Sequence, residues 1–267
     1  MTEGRLAGKA AVVVGAGQTP GETIGNGRAT ALLFAREGAR VLVVDRDGDS
    51  AAETCQMIAD EGGTAVPLRA DITDPEQCAA LAAAAVERWG SIDVLHNNVG
   101  IGTGDADALS LTPAAWDRIH DVNLKAMWTV CREVIPHLRQ AGGGSIVNVS
   151  SIASVCATPL FAYKISKAGV NALTHALAME NVKYGIRVNA ILPGLIDTPM
   201  AIRGHSAARG IDPDELRVAR DRLVPLRRRQ GTAWDVAYAA LYLASDEAGF
   251  VTAVALPVDG GQSARIG

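Results

Sequence analysis

The sequence predicts a single α/β domain: a parallel sheet with helices covering both faces. Three observations carry this reading. Short apolar, β-branched runs alternate with longer helical patterns along the whole chain. Several of those runs are apolar without alternation, as strands buried on both faces must be. No low-complexity linker or shift in composition divides the halves, so residues 1–267 read as one domain.

The elements follow in order. Residues 10–14 (Ala-Ala-Val-Val-Val) form the first strand. The run falls far short of the ~18 apolar residues that span a bilayer. It leads straight into Gly15-Ala16-Gly17, so it reads as a buried strand and not a signal peptide. A helix spans 27–37, the second strand 41–44, a helix 49–60 and the third strand 65–69. Then come a helix at 75–89, a strand at 94–97, a long helical pattern at 113–140 and a strand at 145–149. A helix at 161–184, a strand at 187–192, a helix at 232–243 and a strand at 253–257 complete the set. The least regular stretch, 198–224, holds Gly204, Gly210 and Pro213 and is expected to be a mobile excursion over the substrate.

Composition narrows the function classes. The net charge of -4 gives no reason to expect nucleic acid or an anionic membrane as a partner. Arg227-Arg228-Arg229 reads as solvated surface. Cys55, Cys78, Cys131 and Cys156 form no CxxC pair, which points to free thiols in a reducing, cytoplasmic compartment. The five histidines are scattered without an HExxH pattern, so no metal is expected.

The first chemistry-bearing feature is the glycine loop after the first strand. Gly15 and then Gly25-Asn26-Gly27 let the chain turn tightly and bring backbone N–H groups to a pyrophosphate at a helix N-terminus. The second strand ends at Asp45, 18 positions after Gly27 (45 − 27), where a ribose-binding acid belongs. A carboxylate there accepts from the 2′- and 3′-hydroxyls and repels a 2′-phosphate, favouring NAD. Arg46 beside it works the other way, because it could tolerate that phosphate.

The second feature is Tyr163 and Lys167, four apart on one helix face. The strand before them ends at Ser150-Ser151, at the carboxyl edge where ligands of parallel sheets sit. Oxidising an alcohol by hydride loss leaves a proton for a base to take. Free tyrosine, with a pKa of about 10, is a poor base near neutrality. An ammonium and a cationic nicotinamide both favour phenolate and are expected to lower that value. A serine hydroxyl can donate to the developing oxyanion.

Taken together, these motifs resemble the short-chain dehydrogenase/reductase family almost end to end. The matching residues are Gly25-Asn26-Gly27, Asp45, Asp71-Ile72, Asn97-Asn98-Val99-Gly100, Asn123, Ser150-Ser151, Tyr163-Lys167, Pro193-Gly194 and Val258-Asp259-Gly260-Gly261. The resemblance implies a doubly wound Rossmann fold with about seven parallel strands. It implies a catalytic set of Asn123, Ser151, Tyr163 and Lys167, with Asn123 holding a water behind the lysine. It further implies cofactor contacts at Gly15, Gly25, Asn26, Gly27, Asp45, Arg46, Asp71, Ile72, Asn98 and Gly100, and at Tyr163, Lys167, Pro193, Gly194, Ile196 and Thr198. Thr198 would meet the carboxamide. The family's usual serine-to-tyrosine spacing picks Ser150; strand register picks Ser151, which is preferred because register fixes side-chain direction.

Two departures stand out. Nine residues separate Gly15 from Gly25 (25 − 15 − 1), where the family has three. The extra residues, about 17–23, either fold over the cofactor phosphates, with Thr19 or Thr23 adding hydroxyl contacts, or form a tolerated surface insertion. Val99 stands where the family commonly has alanine.

The expected substrate side is formed by Ile101, Ser151, Val155, Leu160, Leu195 and Met200, with Cys156 beside them. Most are apolar, which points to an apolar secondary alcohol or ketone. Arg203 and Arg209 offer the alternative of an anionic group. By resemblance the chain is expected to be a homotetramer pairing through its long helices. An NADP-dependent 3-oxoacyl reductase is the alternative enzyme, and a catalytically silent dinucleotide sensor the alternative from another class.

Overall fold

The computed structural model describes residues 4–265, apart from the side chains of residues 208 and 209. In chain order its elements begin β1 (Ala10–Val14), α1 (Asn26–Arg36), β2 (Arg40–Asp45), α2 (Gly48–Asp60), β3 (Thr64–Arg69), α3 (Pro75–Trp89) and β4 (Val94–Asn97). They continue with α4 (Pro113–His120), α5 (Ala126–Gln140), β5 (Gly144–Val149), α6 (Phe161–Asn181) and β6 (Ile186–Pro193). The C-terminal part holds β7 (Ile196–Asp197), α7 (Pro199–Arg209), α8 (Pro213–Asp221), β8 (Gly231–Thr232), α9 (Ala233–Ala244) and β9 (Ala255–Val258).

Seven strands pair in the order β3-β2-β1-β4-β5-β6-β9, every pair parallel. β1 shows why its sequence is apolar throughout. Ala11 and Val13 point into a core layer with Leu32 and Phe34 of α1 and Val236 and Leu241 of α9. Val12 and Val14 point the other way, toward Leu81 of α3, Val130 and Leu138 of α5 and Leu177 of α6. Successive side chains of a strand alternate faces, and both faces here are covered, so no position in β1 tolerates a polar group.

The chain winds outward from β1 through β2 to β3, then returns to place β4 on the other side of β1. Between the carboxyl ends of β1 and β4 the winding reverses, which opens a crevice at that edge.

The expected strands all appear, those at 10–14 and 94–97 with the expected bounds and the other five with shifted ends. The last begins at Ala255 and not 253, because Ala253 has a φ of +62° and cannot open an extended run. The long helical pattern is interrupted by one π-turn, Asp121–Lys125, which joins α4 to α5. The stretch expected to be irregular contains α7 and α8, each with Pro in its first turn and a capping Thr198 or Asp212. A separate two-stranded pairing of β7 with β8 closes the base of that excursion. No described helix is long and apolar enough to cross a membrane.

One buried group makes the fold acid-sensitive. His96 on β4 is fully buried, neither ring nitrogen has a hydrogen-bond partner, and its ring meets Phe34 edge-on. Burial pushes its pKa down to about 3. The unfolded chain takes that proton near pH 6.5, whereas the folded chain resists it until about 3. Stability is therefore full above the upper value and is lost as pH falls through the window, by on the order of 4–5 kcal/mol. His96→Leu is expected to move the acid-unfolding midpoint down by about one pH unit, read by circular dichroism. An unchanged midpoint would show that another group sets the acid limit.

Candidate active site

At the crevice, β1 leaves the sheet through Gly15 at φ +74°, a left-handed turn that glycine adopts without strain. Gly27, in the first turn of α1, sits directly on this turn: a Cβ there would lie 1.9 Å from the Gly15 carbonyl oxygen. Asn98, after β4, donates through Nδ2 to that same oxygen at 3.0 Å, joining the two sides of the crevice. The N-cap of α1 is Gly25, with no side-chain cap, so the side chains leave its first-turn N–H groups to a ligand. Asn26 Oδ1 is buried there without a partner. A bare helix N-terminus and a cradle only glycine fits suit a pyrophosphate.

Asp45 ends β2 on one flank of this cradle. Its Oδ2 accepts from Gly17 N at 2.9 Å and its Oδ1 from Asp47 N at 3.1 Å. Beyond it lies an open groove of about 850 Å³ lined by Arg46, Asp49, Arg69, Asp71 and Gln77. The backbone N–H and hydroxyl of Thr73 both donate to Asp71 and hold its carboxyl below the usual range. Ile72 is buried beside it.

The lengthened loop reaches sideways to the helical excursion. Arg203 donates to the Pro20 carbonyl at 2.6 Å, and Thr23 donates to Asp197 at 3.4 Å. Arg217 of α8 bridges Glu22 and Asp197, each at 3.3 Å. Gln18 folds the loop on itself, accepting from Gly25 N at 2.9 Å. Thr19 is exposed. Arg203, considered above for an anionic group, is thus engaged with the loop backbone, and the Arg209 side chain lies outside the described residues.

The catalytic candidates converge at the neighbouring strand ends. β5 ends at Val149, and the next two serines take different partners on α6. Ser150 is buried and donates to the Lys167 carbonyl at 2.9 Å, whereas the Ser151 hydroxyl pairs with the Tyr163 phenol. Lys167 is buried one turn on in α6, its Nζ donating to Val149 O at 2.8 Å and Val99 O at 3.3 Å. That nitrogen lies 5.8 Å from the Tyr163 ring centroid, and Gly100 leaves it room: a Cβ at Gly100 would come within 2.9 Å.

Burial lowers the Lys167 ammonium to about 8 and raises the Tyr163 phenol above its ordinary value, with only the Ser151 hydrogen bond opposing the rise. In the chain alone, desolvation therefore outweighs the expected lowering of the tyrosine.

Asn123 is fully buried at the centre of the π-turn. Its Oδ1 accepts from Ile101 N at 2.7 Å, and its Nδ2 donates to Ile101 O at 2.9 Å and to Ser166 Oγ at 3.0 Å. Its direct partners are thus Ile101 and Ser166, with Lys167 the next residue along α6. Across the crevice, Gly194 N donates to Val258 O, Ile196 is buried with its carbonyl held by Arg220, and Thr198 caps α7 through Ala201 N.

Of the substrate-side residues, Ile101 is fixed by Asn123, Leu160 and Leu195 are half-buried, and Val155 and Met200 are 59% and 57% exposed. Cys156 is half-buried, its carbonyl accepting from Lys164 Nζ. Three connections were not visible in the sequence. Ser166 links Asn123 to the Tyr163 carbonyl, Arg217 ties the long loop to α8, and Asp105 holds the first turn of α6. Each joins residues far apart in the chain except the short Ser166–Tyr163 step, so no local spacing announces it.

Fold and site define an oxidoreductase that uses a nicotinamide dinucleotide to interconvert alcohols and carbonyls, and the relatives agree. Residues 22–263 match the family model described as enoyl-(acyl carrier protein) reductase. The chain is 40% identical over 262 residues to 3beta-hydroxysteroid dehydrogenase 1 of Eggerthella lenta, covering 97% of this chain and 95% of that one. It is 38% identical over 262 residues to the 3-oxoacyl-[acyl-carrier-protein] reductase FabG of Thermotoga maritima, covering 96% and 98%. It superposes with a TM-score of 0.91 and 31% identity on carveol dehydrogenase from Mycobacterium avium in complex with NAD, covering 98% and 100%. The chain belongs to the short-chain dehydrogenase/reductase family.

Proposed function

We propose that the chain is an NAD-dependent dehydrogenase of apolar, cyclic secondary alcohols, with Tyr163 as its general acid/base. The observation that carries this is the grouping of three side chains: the Tyr163 phenol paired with Ser151, its ring over the buried Lys167 ammonium. Bound NAD supplies the hydride acceptor for oxidation and the donor for reduction. Ser151 donates to the substrate oxygen and holds it against the phenol. In oxidation Tyr163 takes the hydroxyl proton; in reduction it returns one to the carbonyl oxygen. Lys167 places a positive charge below the ring and so stabilises the phenolate that oxidation requires. Asn123 fixes Ile101 and, through Ser166, the turn that carries the tyrosine.

The cradle of Gly15, Gly25, Asn26, Gly27 and Asn98 is read as the pyrophosphate site, Asp71, Ile72 and Gly100 as the adenosine side, and Pro193, Gly194, Ile196 and Thr198 as the nicotinamide side. Asp45 favours NAD by repelling a 2′-phosphate. A specific observation supports the NADP reading as runner-up: Arg46 and Arg69 both line the groove beyond Asp45. The exposed apolar side chains of Val155 and Met200 support an apolar substrate, as does similarity to enzymes named for a hydroxysteroid and for carveol, both ring alcohols.

A panel of cyclohexanols, open-chain alcohols, carboxylated alcohols and 3-hydroxyacyl thioesters, each with NAD⁺ and NADP⁺, tests these choices. The ring alcohols are expected to lead, with NAD⁺ preferred by about 100-fold in kcat/KM, the scale of 2–3 kcal/mol of repulsion. Activity confined to thioesters with NADP⁺ would establish the 3-oxoacyl reductase reading instead. Exposed Trp128, Ile165 and Met179 on α5 and α6, and Tyr238 and Phe250 near α9, support a homotetramer. A solution mass of one chain would refute it.

A further inference from the structure

The geometry points to Asp105 as the residue that positions the acid/base tyrosine, a role that rests on Tyr163 acting as proposed above. Helix α6 begins at Phe161, and its N-cap, Leu160, provides no side-chain hydrogen bond. The first turn also contains no acidic residue. Both functions are supplied from a distant loop. Asp105 Oδ1 accepts from Ala162 N and Oδ2 from Tyr163 N, each at 2.9 Å. These are the second and third residues of the helix, whose N–H groups an N-cap side chain normally satisfies. The carboxylate thus caps α6 in trans, and its charge complements the positive end of the helix dipole.

This arrangement serves the site in two ways. It frees the N-cap position for a leucine, so an apolar side chain can stand on the substrate side where a capping serine or aspartate would otherwise be needed. It also fixes the loop that carries Asp105 against the tyrosine. That loop is tied at its start by Ile101, which Asn123 holds through both backbone atoms. Gly102 then passes the tyrosine ring, a Cβ there lying 3.7 Å from Tyr163 Cδ2. The loop turns back on itself through Asp105 N to Gly102 O at 3.2 Å and Ala106 N to Asp105 Oδ1 at 2.9 Å. Its second anchor is the Tyr163 backbone itself. Asp105 therefore fixes the phenol and the wall beside it as one unit. A displacement of the tyrosine backbone of about 1 Å is enough to cost on the order of 100-fold in a reaction that depends on aligned groups.

The test compares Asp105→Ala and the milder Asp105→Asn with the intact enzyme, using cyclohexanol and its 1-deuterated form with NAD⁺. Asp105→Ala is expected to lower kcat by about 10–30-fold, and Asp105→Asn, which keeps one acceptor, by about 3–10-fold. The dissociation constant for NAD, measured by fluorescence, should stay within about twofold. The deuterium isotope effect on kcat should rise, because misplacing the base slows the proton and hydride step and not product release. Loss of activity with an unchanged isotope effect, or in step with a loss of folded protein, would overturn the positioning role and leave Asp105 an ordinary helix cap. So would an unchanged kcat. If the unaltered enzyme binds NAD but oxidises no secondary alcohol, the underlying reading of the function fails instead.

Discussion

Tyr163→Phe is expected to lower kcat by about 10³-fold or more, while leaving the dissociation constant for NAD within about twofold. The substitution removes one oxygen from a ring whose packing is otherwise unchanged. That oxygen is the one paired with Ser151, on a ring whose centroid lies 5.8 Å from Lys167 Nζ. No other described group at this point combines a transferable proton with the same position. A serine hydroxyl is too weak to act as a base near neutral pH, and Lys167 Nζ is turned toward Val149 and Val99. Initial rates with a ring alcohol and NAD⁺, together with fluorescence titration of NAD, check the prediction. Retained turnover would move the proton-transfer role to another residue. Because Lys167 is already drawn down to about 8, its charge is itself pH-sensitive. Support for the phenolate is therefore complete below that value and fades as the ammonium deprotonates.

The second large effect is expected at the cradle. Gly27→Ala places a Cβ 1.9 Å from Gly15 O, 2.8 Å from Gly15 C and 2.6 Å from Asn98 Nδ2. All three are held in place: Gly15 by its N–H bond to Val44 O, and Asn98 by its own backbone bond to Val14 O. The turn between β1 and α1 must then move off the helix, and the N–H groups gathered at that helix end disperse. A loss of NAD affinity of about 100-fold or more is expected, with a lowered melting temperature. Gly204→Ala is the matched control. A Cβ there meets nothing within 4 Å, and α7 gains a better helix former, so stability should hold or rise by up to about 1 kcal/mol. Calorimetric titration of NAD into both variants separates a cradle effect from a general sensitivity to alanine.

Where the sequence was legible, the reason is local physics. The apolar run of β1 and the Tyr163–Lys167 spacing each reflect constraints within a few residues of chain: burial on both faces, and one helix face. Ser150 and Ser151, adjacent after β5, take different partners on α6, the Lys167 carbonyl and the Tyr163 phenol. What stayed hidden depends on long-range contact. The excursion at 198–224 has glycines and a proline that read as irregular, yet Pro199 and Pro213 open helices and do not break them. The inserted glycine-loop residues could not be placed because their partners, Pro199, Arg203 and Arg217, lie nearly 200 positions on. Asp105 looked like a loop residue because the helix it caps starts more than fifty positions later.

The identity of the hydride donor tests the account most directly. The purified enzyme would be incubated with NAD⁺ and an apolar ring alcohol carrying deuterium only at its carbinol carbon, and the reduced dinucleotide analysed by mass spectrometry. One deuterium in each reduced nicotinamide, lost when Tyr163 is phenylalanine because no product forms, is the predicted result. Reduced dinucleotide without the label, or none formed from any secondary alcohol by a protein that binds NAD, would contradict it.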